Sequence, residues 1–368
     1  MDKKNIESLR ICVERMSKQD TTKMKQLKDA CKGDKCKFNK LRAAFYTSKL
    51  WPQGSTIRIK FLQAPSGVER TSLSRIKNSR ATDGSLLQMD PLQETVEGME
   101  IIPAIMKIVK EHVNPFIGLN LKFVNQNDKA DIKISFNPSD GAWSLLGTDC
   151  LTTGPNEATM NLGWFDVSTT IHEFCHALGM IHEHQNPRGK TIDWDDEKVY
   201  KWAADTQGWD KQTTHSNIIE KYDKTIINGS DYDPKSIMLY FFPAVLTRNN
   251  VGTDQNLRLS SEDVIYLNQQ YPIDTATCKD CMDPATFYQK VYGTPLDAMT
   301  TSSTETATGI VTKSETATET STATDASSIS NTDDKFLMLV NFFNKNFVVI
   351  ISIIVLLFVI KFVTTNNI

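Results

Sequence analysis

His172-Glu173-Phe174-Cys175-His176-Ala177-Leu178-Gly179-Met180-Ile181-His182 puts three imidazoles and one carboxylate into a single short run. Residues four apart share one face of a helix, so His172 and His176 can aim their rings at one point. Glu173, one position further on, can face a water held there. Gly179 permits the left-handed backbone that ends a helix and turns the chain, which brings His182 back to the same point. Three neutral nitrogen ligands with a fourth position open suit a catalytic zinc ion. In such a site the pKa of bound water falls from about 15.7 towards about 7. Two histidines and a glutamate at this spacing arise by accident on many polar helix faces, whereas the longer run with Gly179 and His182 is far more specific. Four of the six histidines, counting His184, fall in this stretch, and packing is the expected role of His112 and His215.

A second signature follows in Asp233-Pro234-Lys235-Ser236-Ile237-Met238-Leu239-Tyr240. Alone it reads as a turn into a strand. After the histidine run it resembles the methionine-containing turn beneath the metal of metzincin peptidases, and within that clan Ser-Ile-Met-Leu-Tyr resembles the astacin pattern. The resemblance implies one catalytic Zn2+ held by His172, His176 and His182, with Glu173 as general base. It also implies Met238 packed beneath the metal and Tyr240 reaching it. Leu239 departs from the histidine usual in astacins. Glu183 matches the glutamate that in astacins receives the mature amino terminus.

Weaker segments extend the resemblance in order. Leu50-Trp51-Pro52-Gln53-Gly54 with Thr56-Ile57-Arg58-Ile59-Lys60-Phe61-Leu62 resembles the first strand of astacin-like and matrixin-like domains. Ala130-Asp131-Ile132-Lys133-Ile134-Ser135-Phe136 resembles the central strand, and Asp140-Gly141-Ala142-Trp143-Ser144 the edge region after it. Met160-Asn161-Leu162-Gly163-Trp164 resembles the strand before the zinc helix, and Leu259-Ser260-Ser261-Glu262-Asp263 the cap of a closing helix that ends at Tyr271-Pro272. Together they span residues 46–273 and imply a metallopeptidase acting on proteins or peptides.

Residue patterning agrees. Ile57, Ile59 and Phe61 alternate with polar residues, as do Ile132, Ile134 and Phe136, so both stretches read as half-buried strands. Residues 96–113 carry apolar positions at helical spacing, with Ile101, Ile105, Ile108 and Val109 forming a stripe that backs the sheet. Residues 197–209 and 215–222 read as short helices. The expected fold is α+β, a two-lobed metzincin-like zinc peptidase domain with a cleft between lobes. The net charge of −3, with no basic cluster interleaved with aromatics, gives no footprint for nucleic acid.

Beyond the domain, residues 347–363 are apolar except for Ser352 and Lys361. As a helix they reach about 26 Å, close to a bilayer core of about 30 Å, and Lys361 can snorkel to the interface, so a single membrane span is expected. Residues 300–334, rich in Thr, Ser and Ala, are too poor in large apolar groups to repay ordering and read as a flexible stalk. Met1-Asp2-Lys3-Lys4-Asn5 leads into charged, helix-like sequence with no apolar signal, so residues 1–45 read as a charged helical region or prosegment and the chain as tail-anchored. The stalk's resemblance to O-glycosylated ones and the sequon Asn228-Gly229-Ser230 leave a secreted orientation open. A lipid-anchor signal fits poorly, since the chain ends Thr364-Thr365-Asn366-Asn367-Ile368. Cell membrane and virion membrane are equally open.

Seven cysteines leave at least one thiol unpaired within a monomer, and Cys175 is the expected one. Cys278 and Cys281 form a Cys-x-x-Cys within residues 274–299, read as a local disulfide or free thiols. Because astacin prosegments block zinc with an aspartate after a glycine, Asp34, or Cys31 nearby, is the latency candidate. Two other classes stay open: a zinc-fold binding module and a structural envelope protein. Glu173 beside all three ligands counts against a dead enzyme.

Overall fold

The computed structural model describes residues 12–15, 22, 49–186, 192–221, 232–274 and 283–293. Its main strands are β1 (Val13–Arg15), β2 (Thr56–Phe61), β3 (Asn120–Phe123), β4 (Ile132–Ser135), β5 (Ala142–Leu145) and β6 (Met160–Leu162). Its longer helices are α1 (Ile101–His112), α2 (Val167–Ala177), α3 (Asp196–Gln207), α4 (Ser261–Gln270) and α5 (Pro284–Tyr292). These six strands form one sheet in the order β1-β5-β6-β4-β2-β3, parallel throughout except for the antiparallel β5–β6 pair, and Glu69–Arg70 pairs in parallel with Trp164–Phe165 as a separate two-stranded sheet.

The alternation read in the sequence sets the sheet's register. Ile57 and Ile59 are fully buried, and Ile59 lies opposite Ile132 while Phe61 lies opposite Ile134. The Phe61 ring stacks between Phe123 and Phe136, with centroids at 5.6 and 5.9 Å. Helix α1 buries Ala104, Ile105, Ile108 and Val109 in the same core and packs against α2. It starts at Ile101 rather than residue 96, because Gly98 takes φ +75° and Leu92–Thr95 closes its own short turn first. Helix α3 likewise stops at Gln207, short of Trp209, where Gly208 turns left-handed.

Two hydrophobic cores are present among the described residues. The larger joins sheet, α1, α2 and α4. The smaller gathers Trp194, Val199, Trp202, Ile218, Phe242 and Leu246. The domain also runs past residue 273. In α5, Tyr288 is fully buried with its hydroxyl donating to Leu259 O at 3.2 Å, and Tyr292 Oη lies 3.0 Å from His112 Nδ1. His112 is therefore a packed core histidine, 2.8 Å from Asp90 Oδ2.

The end of α2 is held from both ends of the domain. A helix leaves its last carbonyls without intrahelical donors. Trp51 Nε1 donates to Ala177 O and Tyr271 Oη donates to Leu178 O, each at 2.7 Å, while Trp51 N donates to Tyr271 Oη at 3.3 Å.

The amino-terminal region departs from the helical expectation where it is described: Val13–Arg15 is extended and pairs with β5, so β5 is not an edge strand. An open sheet edge offers that backbone a full set of hydrogen bonds, which outweighs the helical bias of charged sequence. Cys31, Asp34, the sequon at Asn228, Cys278, Cys281, the stalk and residues 347–363 lie outside the described residues. Among the described residues, no helix is long and apolar enough to cross a membrane.

Candidate metal centre

Helix α2 supplies half of the site. Asp166 caps its start, its Oδ1 accepting from Thr169 N at 2.7 Å. At the other end Gly179 N donates to His176 O at 2.8 Å and Met180 N to Cys175 O at 2.9 Å, the paired bonds of a Schellman ending. Gly179 holds φ +95°, and a Cβ there would stand 2.9 Å from Leu50 Cδ2. This reversal carries His182 back beside His176.

The other half is the turn through residues 236–240. Asp263, in the first turn of α4, accepts from Ser236 Oγ at 2.6 Å and from Ile237 N at 2.7 Å. The turn thus fixed presents Ile237 O to His172 Nδ1 at 2.8 Å, and Met238 O accepts from Glu183 N at 3.0 Å. A carbonyl partner requires a proton on Nδ1, so His172, and His176 through Met180 O at 2.8 Å, are both Nδ1–H tautomers with Nε2 left as a lone-pair donor.

The donor set fits zinc. Ring nitrogens of His172, His176 and His182 lie within 4.8 Å of one another. His176 Nε2 and His182 Nε2 are 2.9 Å apart. Two nitrogens on one tetrahedral zinc, each about 2.0–2.1 Å from it, stand about 3.3 Å apart, so a small adjustment seats the ion. His172 Nε2 and both Glu173 oxygens are buried without a hydrogen-bond partner among the described residues. Buried polar atoms left this way are costly and mark a missing partner.

Burial drives the electrostatics. It lowers His172 to about 4 and His184 to about 3, and pushes His176 and His182 well below the ordinary histidine range. All four rings are therefore neutral at physiological pH, the form that ligates a metal. Burial also raises Glu173 to about 8, opposed by the neighbouring Cys12 thiol. Such a carboxyl is basic enough to hold a proton near neutrality.

The structure brings His172, His176, His182 and Tyr240 together at this point, with Glu173 near His172. Met238 is fully buried, and Leu239, where a histidine is usual, is buried as well. The Tyr240 ring sits 4.2 Å from that of His182 and 5.6 Å from that of His172, with its hydroxyl donating to Cys12 O. Glu183 Oε1 accepts from Asn186 Nδ2 and from Asp233 N, each at 2.9 Å. Cys175 is buried and free behind the ligands. His215 lies apart, 3.0 Å from Tyr200 Oη. A cleft of about 140 Å³ opens on the site, lined by His172, Tyr240, Arg75, Asp166, Asn256 and Cys12 among others.

Sequence reasoning did not find Cys12 or the tie from Asp263 to the turn. A capping pattern around Ser260 was visible for Asp263. Nothing local marked Cys12.

Residues 118–272 match the family model described as Astacin, a peptidase family. Over these residues the chain is astacin-like. Among curated relatives, the chain is 28% identical over 157 residues to zinc metalloproteinase nas-6 of Caenorhabditis elegans, covering 40% of this chain and 42% of that one. It is 33% identical over 107 residues to zinc metalloproteinase nas-4 of the same organism, covering 28% and 29%. The chain thus spans less than half the length of these relatives. A solved structure of myroilysin shares 31% identity, with a TM-score of 0.47, over 62% of this chain and 97% of its own. Zinc is the metal of this family, and the three-histidine group is where the chain can hold it.

Proposed function

We propose that this astacin-like chain is a zinc-dependent endopeptidase anchored to a membrane by residues 347–363. The observation that carries the peptidase reading is the convergence of three buried histidine nitrogens, with the orphaned Glu173 carboxyl near His172 and His172 itself lining a cleft with Tyr240. Bound zinc supplies a Lewis acid that polarises a peptide carbonyl and makes water acidic. Glu173 takes the proton from the attacking water and delivers it to the departing amine, a shuttle suited to a carboxyl whose burial keeps it basic. Tyr240, held against the histidine rings, donates its hydroxyl to the oxygen on which negative charge develops. His172 keeps its orientation through Ile237 O, and Met238 fills the floor. The membrane reading rests on the apolar run and the polar stalk before it.

The test measures metal content and protein cleavage for the full-length chain, before and after trimming of its amino-terminal segment, with and without chelator. The proposal expects one zinc per chain and chelator-sensitive cleavage. It also expects a Glu173→Gln variant that keeps the zinc and loses cleavage. Zinc uptake without cleavage even after trimming, or cleavage by the glutamine variant, overturns the peptidase reading. Flotation with liposomes tests the anchor, which fails if removal of residues 347–363 leaves binding unchanged.

A further inference from the structure

We infer that Gln185 is the positioning residue of the third zinc ligand: in the loaded site its side-chain oxygen accepts the Nδ1 proton of His182 and fixes that ring. The inference rests on the zinc-site reading above and deepens it. His172 and His176 each give an Nδ1 proton to a backbone carbonyl, Ile237 O and Met180 O, at 2.8 Å. His182 turns Nε2 toward His176 Nε2, so its Nδ1 is the nitrogen on the side away from the metal. A ligating imidazole needs an acceptor there to hold its tautomer and its angle.

Gln185 follows His182 by one short 3-10 turn and is buried, at 1% exposure. Its Nε2 donates to Ser216 O at 2.8 Å and to Glu220 O at 2.9 Å. Two carbonyl partners identify this end of the amide as the nitrogen, and they use both of its hydrogens. Oε1 is then the part of the amide left to accept, and it is buried against the His182 ring with no other donor on it among the described residues. A buried amide oxygen without a donor is costly, so its surroundings are built for one.

The carbonyls that aim this amide come from an irregular turn. His215–Ile219 is π-helical, and Glu220 N donates to His215 O at 2.8 Å. In an α-helix Glu220 N would bond Ser216 O instead, so the wider turn releases Ser216 O to hold Gln185. Single π turns of this kind recur at functional sites. Asn217 O accepts from His184 Nε2 at 2.9 Å, so the same turn grips two successive residues just after the third ligand. His172 and His176 are oriented by backbone carbonyls, which substitution does not remove. His182 is oriented by a side chain, tied to a turn 31 residues downstream.

The test loads the full-length chain with Co2+ and records its paramagnetic proton spectrum, in which the ring N–H of each coordinated histidine gives its own exchangeable signal. Wild type should show three such signals in slow exchange with water. Gln185→Met, which keeps the length of the side chain and removes the acceptor, should lose one of them to rapid exchange and keep two. The same variant should bind zinc about 10–100-fold more weakly in a competition titration. A role confined to holding the fold would lower thermal stability yet leave all three signals in Gln185→Met, and that result overturns the inference. Only two slow signals in the wild type, a reading that needs no variant, overturn it as well. Failure of the wild-type chain to take up cobalt overturns instead the zinc-site reading beneath it.

Discussion

Tyr271→Phe isolates the bonds that hold the end of the zinc helix. The substitution removes one oxygen and leaves the ring, which is fully buried, in place, so no cavity forms. What is lost is the 2.7 Å bond to Leu178 O and the acceptor for Trp51 N at 3.3 Å. Leaving a buried partner unsatisfied costs about 1–3 kcal/mol, with the short bond at about 2 and the long one at about 1. The sum is about 3 kcal/mol. For a domain of this size each kcal/mol moves the midpoint by about 2–4 °C, so thermal unfolding followed by circular dichroism should show a fall of about 6–12 °C. Zinc must be held at one concentration, since bound metal stabilises by mass action. Zinc stoichiometry should not change, because Gly179 and Met180 still close the helix onto His176 and Cys175. A fall of less than about 2 °C would refute the reasoning. It would mean that water reaches Leu178 O and that the link between residues 51 and 271 does not hold the helix.

Three other outcomes are expected. Asp263→Asn should weaken zinc binding by about 10–100-fold in a competition titration, because it loosens the turn that orients His172 through Ile237 O. Tyr240→Phe should lower kcat of the trimmed chain by up to about 10²–10³-fold with KM little changed, as loss of one oxyanion donor does, and an unchanged kcat would remove that role. Asp131 is raised by burial but lowered more by Arg58, which bonds it at 2.8 and 3.1 Å, so its folded pKa is below the ordinary value. That contribution is complete above about pH 4, the unfolded value, and is lost as pH falls through the lower folded pKa. The stability gap between wild type and Asp131→Asn, measured by urea unfolding, should therefore shrink on going from about pH 6 to below about pH 4.

Much of this molecule was legible where chemistry and local period coincide. His172, His176 and His182 declared a metal through spacing alone, β2 and β4 through alternation, and Ser260 with Asp263 through a capping pattern that the structure shows in full. Boundaries were less legible. The apolar stripe of α1 continues back through Val96, but the φ of Gly98 is a backbone property that a hydrophobic pattern does not carry. The hardest features join distant residues: Trp51 to Ala177, Asp263 to Ile237, and Cys12 to His172. Each depends on where the finished fold brings a side chain, and β1 is a strand only because β5 offers it an edge. A three-residue strand in charged sequence has no signature of its own.

The sheet's two flanks differ in how they resist sticking to other molecules. At the β3 flank, a four-residue strand with Asn120 and Lys122 exposed is short and charged enough to discourage pairing. At the other flank, β5 carries Ala142, Trp143, Ser144 and Leu145 with no charge, and among the described residues only β1 covers it. Any event that lifts β1 uncovers an uncharged edge of unpaired backbone groups. The solubility of a trimmed chain should then depend on its concentration, with peptides and other copies of the chain competing for one template.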